Sequence, residues 1–118
     1  MNVLIAGGGS IGVRHLHNIR AQMPEADITL WHTSGKKLVT GEIESVATKV
    51  VYNIADAIQS NPKIAIISCP TSLHVDVGLE FANRSTHLFI EKPISNSICN
   101  VDKLIEIAQR KKLILMVG

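Results

Sequence analysis

Residues 2–18 read NVLIAGGGSIGVRHLHN. Val3 to Ala6 is a short apolar run, and beyond it Gly12, Leu16, Ile19 and Met23 recur at helical spacing and make one stripe. Between strand and helix lie Gly7, Gly9 and Gly12, in the order G-x-G-x-x-G. Each glycine has a physical task. The first permits a tight turn out of the strand, the second lets a pyrophosphate approach the backbone, and the third lets helix and strand pack closely. Glycine-rich turns are common, so the spacing alone says little. Its place between a first strand and a helix makes it a dinucleotide-binding signature. Ser10 and Ile11 then fall at the helix N-terminus, where free N–H groups and the helix dipole favour phosphate.

Outward from this stretch, apolar runs and helical patterns alternate. Strands are predicted at Ile28 to Trp31, Val50 to Tyr52, Ile64 to Ile67, Leu88 to Ile90 and Leu113 to Val117. A short helix begins over Ile54 to Ile58, and Val75, Leu79 and Ala82 mark another. Ile98, Val101, Ile105 and Ala108 mark what reads as the longest helix, capped by Asn96 or Ser97. The segment from Thr33 to Lys49 is long enough for a crossover, but its glycines and β-branched residues weaken a helix there. The pattern predicts an α/β doubly wound Rossmann fold: a mostly parallel, six-stranded sheet in the order 3-2-1-4-5-6, filling residues 1–118 as one domain.

Composition agrees. With 46% hydrophobic and 3% aromatic residues, the core must be aliphatic, which suits buried parallel strands. A net charge of +2, scattered along the chain, argues against a nucleic-acid partner. No run of 18 or more apolar residues offers a membrane span. Two cysteines, Cys69 and Cys99, form neither a disulfide framework nor a zinc site and suit a reduced, cytoplasmic setting.

If the cofactor is NAD, an acidic residue should stand about 20 residues beyond the glycine loop, to bind the ribose hydroxyls. Here the sequence is WHTSGKK, Trp31 to Lys37, and no acid occurs before Glu42. Ser34, Lys36 and Lys37 instead offer hydroxyl and cationic groups, which lean towards NADP over NAD, and His32 beside them is a further cofactor-binding candidate. Exposed lysines on a solvated loop would look the same.

Two more loops leave strand ends. In SCPTSLH, Ser68 to His74, Pro70 stops the strand, Thr71 is placed to cap the next helix, and His74 lies just beyond. Cys69 reads as a small buried residue, since no base stands beside it. In FIEKPIS, Phe89 to Ser95, an apolar strand runs into Glu91, Lys92 and Pro93. Taken alone, Lys92 is a surface lysine paired with Glu91.

The ordered set GGGSIGVRH, CPTSLH and, 17 residues after His74, EKP resembles the Gfo/Idh/MocA family (glucose–fructose oxidoreductase, inositol dehydrogenase, rhizopine catabolism). The resemblance covers this whole chain and the N-terminal part of such a protein. It implies an NAD- or NADP-binding Rossmann domain followed by a substrate domain that is absent here and often mediates homo-oligomers. It implies substrates among sugars, cyclitols and nucleotide sugars. It places Lys92 beside the nicotinamide and the reacting hydroxyl, as the catalytic lysine. Glu91 and Pro93 match the neighbours of that lysine, and Pro70, Thr71 and His74 match the loop and helix start that flank the cofactor, with Cys69 beside them as a further cofactor-binding candidate. The acidic residue and histidine that join the lysine would come from the second domain, so the chain reads as a truncation that is inactive alone. Ser85 departs from the family, which often has glycine there, and suggests a different cap. Two alternatives need no EKP: a non-enzymatic NAD(P)-sensing regulatory module, and a cofactor-free interaction domain on the same fold.

Overall fold

The computed structural model describes residues 1–36 and 41–118; the Lys37 expectation lies outside them. The sheet is formed by β1 (Asn2–Ala6), β2 (Asp27–Trp31), β3 (Lys49–Val51), β4 (Ile64–Ile67), β5 (His87–Ile90) and β6 (Leu115–Val117). Its order is β3-β2-β1-β4-β5-β6, as predicted, and every pairing is parallel. The register puts Val51, Trp31, Ala6, Ile67, Ile90 and Val117 in one row across the sheet. The residues that follow this row therefore leave at a common edge. Their amides still donate to neighbouring strands: Gly7 to the Trp31 carbonyl at 2.9 Å, Ser68 to Ala6 at 2.8 Å, and Glu91 to Ile67 at 3.0 Å.

Among the described residues five α-helices cover the sheet: α1 (Ser10–Gln22), α2 (Gly41–Val46), which forms within the segment where the sequence weakened a helix, α3 (Ile54–Gln59), α4 (His74–Ala82) and α5 (Val101–Arg110). Alternating strand residues feed two cores, because successive side chains point to opposite faces. Ile5, Ile28, Leu30 and Ile66 pack with Leu16 of α1 on one face. Leu4, Ala6, Ala65, Ile67 and Ile90 pack with Ala57, Phe81 and Leu104 on the other.

Several local expectations need correction. The longest helix is α1, with 13 residues, not α5, with 10. Neither Asn96 nor Ser97 caps α5; Asn100 does, in a left-handed conformation without a side-chain cap bond. Ile98 lies outside the helix and is 93% exposed. Thr71 caps nothing: it opens a 3-10 turn over Thr71–Leu73, and α4 begins at His74. Pro70, fixed in an extended conformation, turns the chain instead. Ser85 adopts φ 63°, the left-handed conformation glycine would take, so the local geometry survives the substitution.

Candidate functional site

The turn after β1 is built around what a side chain could not tolerate. Gly7 has φ +114°, and a Cβ there would lie 2.6 Å from the Cys69 amide nitrogen. At Gly12 a Cβ would lie 1.8 Å from the Gly7 carbonyl oxygen, so α1 can start against the turn only with glycine. Gly9 differs. Its φ is −73°, and a Cβ would meet nothing within 4 Å, because that direction is open cleft. The N-terminus of α1 has no side-chain cap and no acidic residue in its first turn. Its donors are free for an anion.

A cleft of about 490 Å³ opens at this point. It is lined by Gly7, Gly9, Ser10, Ile11, His32, Ser34, Cys69 and Pro70, all expected from the sequence, and by Gly8, Thr33, Ser68 and Leu73, which were not singled out. Those four lie inside motifs already noticed, as neighbours of the residues named. Ser68 Oγ is 3.3 Å from the carbonyl oxygens of both Ala6 and Gly7, tying the β4 loop to the glycine turn. His32 is 2% exposed and stacks on Tyr52 at 5.6 Å. Its Nε2 has no hydrogen-bond partner among the described residues, and burial holds its pKa below the ordinary value. Cys69 is buried in the cleft wall, and burial raises its thiol to about 11, which disfavours the thiolate.

The remaining predicted residues do not line the cleft. Gly12 is buried behind it, and Lys36 is exposed, its amide donating to Ser34 Oγ at 3.3 Å. Thr71 is half-buried in the 3-10 turn. His74 is buried, with Nε2 2.8 Å from the Cys69 carbonyl and Nδ1 3.0 Å from the Pro93 carbonyl. It braces the loops after β4 and β5 rather than offering a nitrogen to a ligand. Pro93 and Lys92 are exposed, and the peptide between them is cis.

Lys92 leaves β5 at the same sheet edge as the glycine turn, its amide donating to the Gly118 carbonyl at 3.1 Å. The plain reading paired it with Glu91. The structure does not: Glu91 Oε1 lies 2.5 Å from His15 Nε2 on α1. Among the described residues the Lys92 ammonium has no ion pair. His15 is a site-proximal residue that the sequence did not mark, because 76 positions separate it from Glu91.

An uncapped helix N-terminus behind a glycine turn, at the point where strand order reverses, defines a dinucleotide-binding Rossmann domain. The chain belongs to the Gfo/Idh/MocA family: residues 1–118 match the family described as "Oxidoreductase family, NAD-binding Rossmann fold". It is thus the NAD-binding domain of an oxidoreductase family, and nothing supports the regulatory-module alternative.

Among curated relatives, myo-inositol 2-dehydrogenase of Thermotoga maritima is 24% identical over 120 residues, covering 100% of this chain and 36% of its own length. The 4-carboxy-2-hydroxymuconate-6-semialdehyde dehydrogenase of Sphingobium sp. is 21% identical over 119 residues, covering 100% and 38%. A solved structure of a probable dehydrogenase from Thermotoga maritima superposes with a TM-score of 0.85 at 23% identity, covering 100% of this chain and 36% of that one. The chain thus spans little more than a third of the relatives it matches. No helix among the described residues is long and apolar enough to cross a membrane.

Proposed function

We propose that this chain is the cofactor half of a nicotinamide-dependent oxidoreductase acting on a sugar, cyclitol or nucleotide-sugar hydroxyl or carbonyl. The observation that carries the reading is the shared edge: the glycine turn and the E-K-P loop leave aligned strand ends. The myo-inositol 2-dehydrogenase relative supports the cyclitol class.

The cleft suits the cofactor. First-turn amides of α1 would hold the pyrophosphate, with Gly9 giving room for its approach. Thr33 and Ser34 would serve the ribose, backed by the buried His32 ring, with Lys36 nearby. Among the described residues the cleft is lined by no carboxylate, which favours NADP over NAD, since a carboxylate would repel a 2′-phosphate. Cys69, Pro70 and Leu73 form an apolar wall, and Thr71 and His74 support it.

The bound nicotinamide supplies the hydride acceptor or donor. The protein must orient the substrate oxygen and manage its proton. An unpaired Lys92 at the sheet edge can do both, as an ammonium that polarises a carbonyl or as a partner in proton transfer. A second domain would complete the substrate pocket and support a homo-oligomer in a cytoplasmic protein. Exposed Ile98, Ile105 and Met116 are surface it could cover.

Titration of the 118-residue chain with NADPH and NADH tests the cofactor reading. Binding of neither at millimolar concentration removes it. Lys92→Ala in a longer chain carrying the second domain should lower kcat by roughly 10²–10⁴-fold. Undiminished turnover would remove Lys92 from the chemistry.

A further inference from the structure

Phe89 and Glu91 are two residues apart on β5 and its exit, so their side chains point to the same face of the sheet. That face is covered by α1, and Phe89 packs against its core. His15, on α1, meets both. Its ring lies edge-on to Phe89, with centroids 5.6 Å apart and planes at 68°, and its Nε2 reaches Glu91 Oε1 at 2.5 Å. The carboxylate only accepts, so Nε2 carries the proton. Both side chains are largely screened from solvent, at 21% and 25% exposure. The bond spans two elements with distinct tasks. Helix α1 begins at the glycine turn, and Glu91 immediately precedes Lys92.

We infer that His15 is a positioning residue: by holding Glu91 it fixes the E-K-P loop against the helix that binds the pyrophosphate, and so sets where Lys92 stands relative to the nicotinamide. It also keeps the Glu91 carboxylate away from the Lys92 ammonium, which therefore remains available. The inference rests on the cofactor reading above and adds a residue to it. Rotation of the pair would let Glu91 neutralise its neighbour.

The test separates the two ends of the cofactor. NADPH and NADH are each titrated against the 118-residue chain beside their ring-lacking counterparts, 2′-phospho-ADP-ribose and ADP-ribose. Energy transfer from Trp31, the only tryptophan, reports binding of the reduced cofactors, and calorimetry reports the others. His15→Ala should weaken the nicotinamide-bearing ligands about tenfold, the loss of one charge-assisted hydrogen bond. The ring-lacking ligands should change by less than about twofold. His15→Gln, whose amide can still donate to Glu91, should recover most of the loss, and His15→Ala/Glu91→Ala should be no weaker than the single variants.

Acylation of Lys92, followed by mass spectrometry, should show protection by NADPH in the original chain and less in His15→Ala. Equal weakening of ring-bearing and ring-lacking ligands would overturn the inference, since His15 would then serve only the fold. Unchanged affinity with unchanged Lys92 protection would overturn it too. If the unmodified chain binds ADP-ribose compounds but no better when the ring is present, the positioning claim fails while the glycine site stands. If it binds none of the four, the cofactor reading itself fails.

Discussion

At Gly9 and Gly12 the same amino acid answers to different forces, and one methyl group separates them. Gly12→Ala drives a Cβ into the Gly7 carbonyl, where neither backbone can yield. It should cost about 2–3 kcal/mol or more, read by urea denaturation. Gly9→Ala meets open space at an ordinary φ, so stability should stay within about 0.5 kcal/mol. The same methyl stands in the cleft, and NADPH affinity should fall about tenfold or more. His32 carries a prediction in pH. Its folded pKa lies below the unfolded value of 6.5. Between those values the unfolded chain binds more protons, so stability rises with pH there. Its contribution is full above about 6.5 and is lost as pH falls through the folded value. Denaturant midpoints from pH 7.5 down to 5 should therefore decline less in His32→Asn than in the original chain.

At the scale of elements, the helix ends are where the sequence misled. Apolar spacing extended α5 back to Ile98, but that side chain is 93% exposed and the helix begins at Val101. Periodicity tracks residues that could be buried; it does not sense the left-handed Asn100 that breaks the chain direction. The turn after α4 is similar. Ser85 holds the left-handed conformation although it bears a Cβ, which costs about 1 kcal/mol or more. Bonds from Lys111 Nζ to the Asn83 carbonyl at 2.6 Å and to Ser85 Oγ at 3.3 Å offset part of this. Ser85→Gly should raise stability by about 0.5–1 kcal/mol, since the exposed hydroxyl contact is worth less than the backbone relief. A melting temperature at or below that of the original chain would show the Lys111 contact to be the stronger term.

At the scale of the whole molecule, cofactor and fold should be linked. A ligand that binds only the folded chain stabilises it by about 2.7 kcal/mol at a hundredfold excess over Kd. For a domain of this size the melting temperature should rise on the order of 10 °C. Under the proposed NADP reading the rise should be larger for NADPH than for NADH at equal concentration. The reverse order in a thermal shift series would transfer the preference to NAD.

Strand order, the glycine turn and most of the cleft were legible in the chain because they rest on local pattern. Apolar runs of strand length, glycines at fixed spacing and the handedness of crossovers leave few ways to wind such a sheet. The row from Val51 to Val117 depended on register, which only pairing sets, and it is what brings Gly7, Ser68 and Glu91 to one edge. The partner of Glu91 was hidden for the same reason: a bond between α1 and β5 belongs to packing, not to spacing along the chain. Sequence pattern marked the six strands and the glycine turn but not α2; tertiary structure alone decided that His15, and not Lys92, holds the carboxylate, because side chains far apart in sequence meet only once the sheet is assembled.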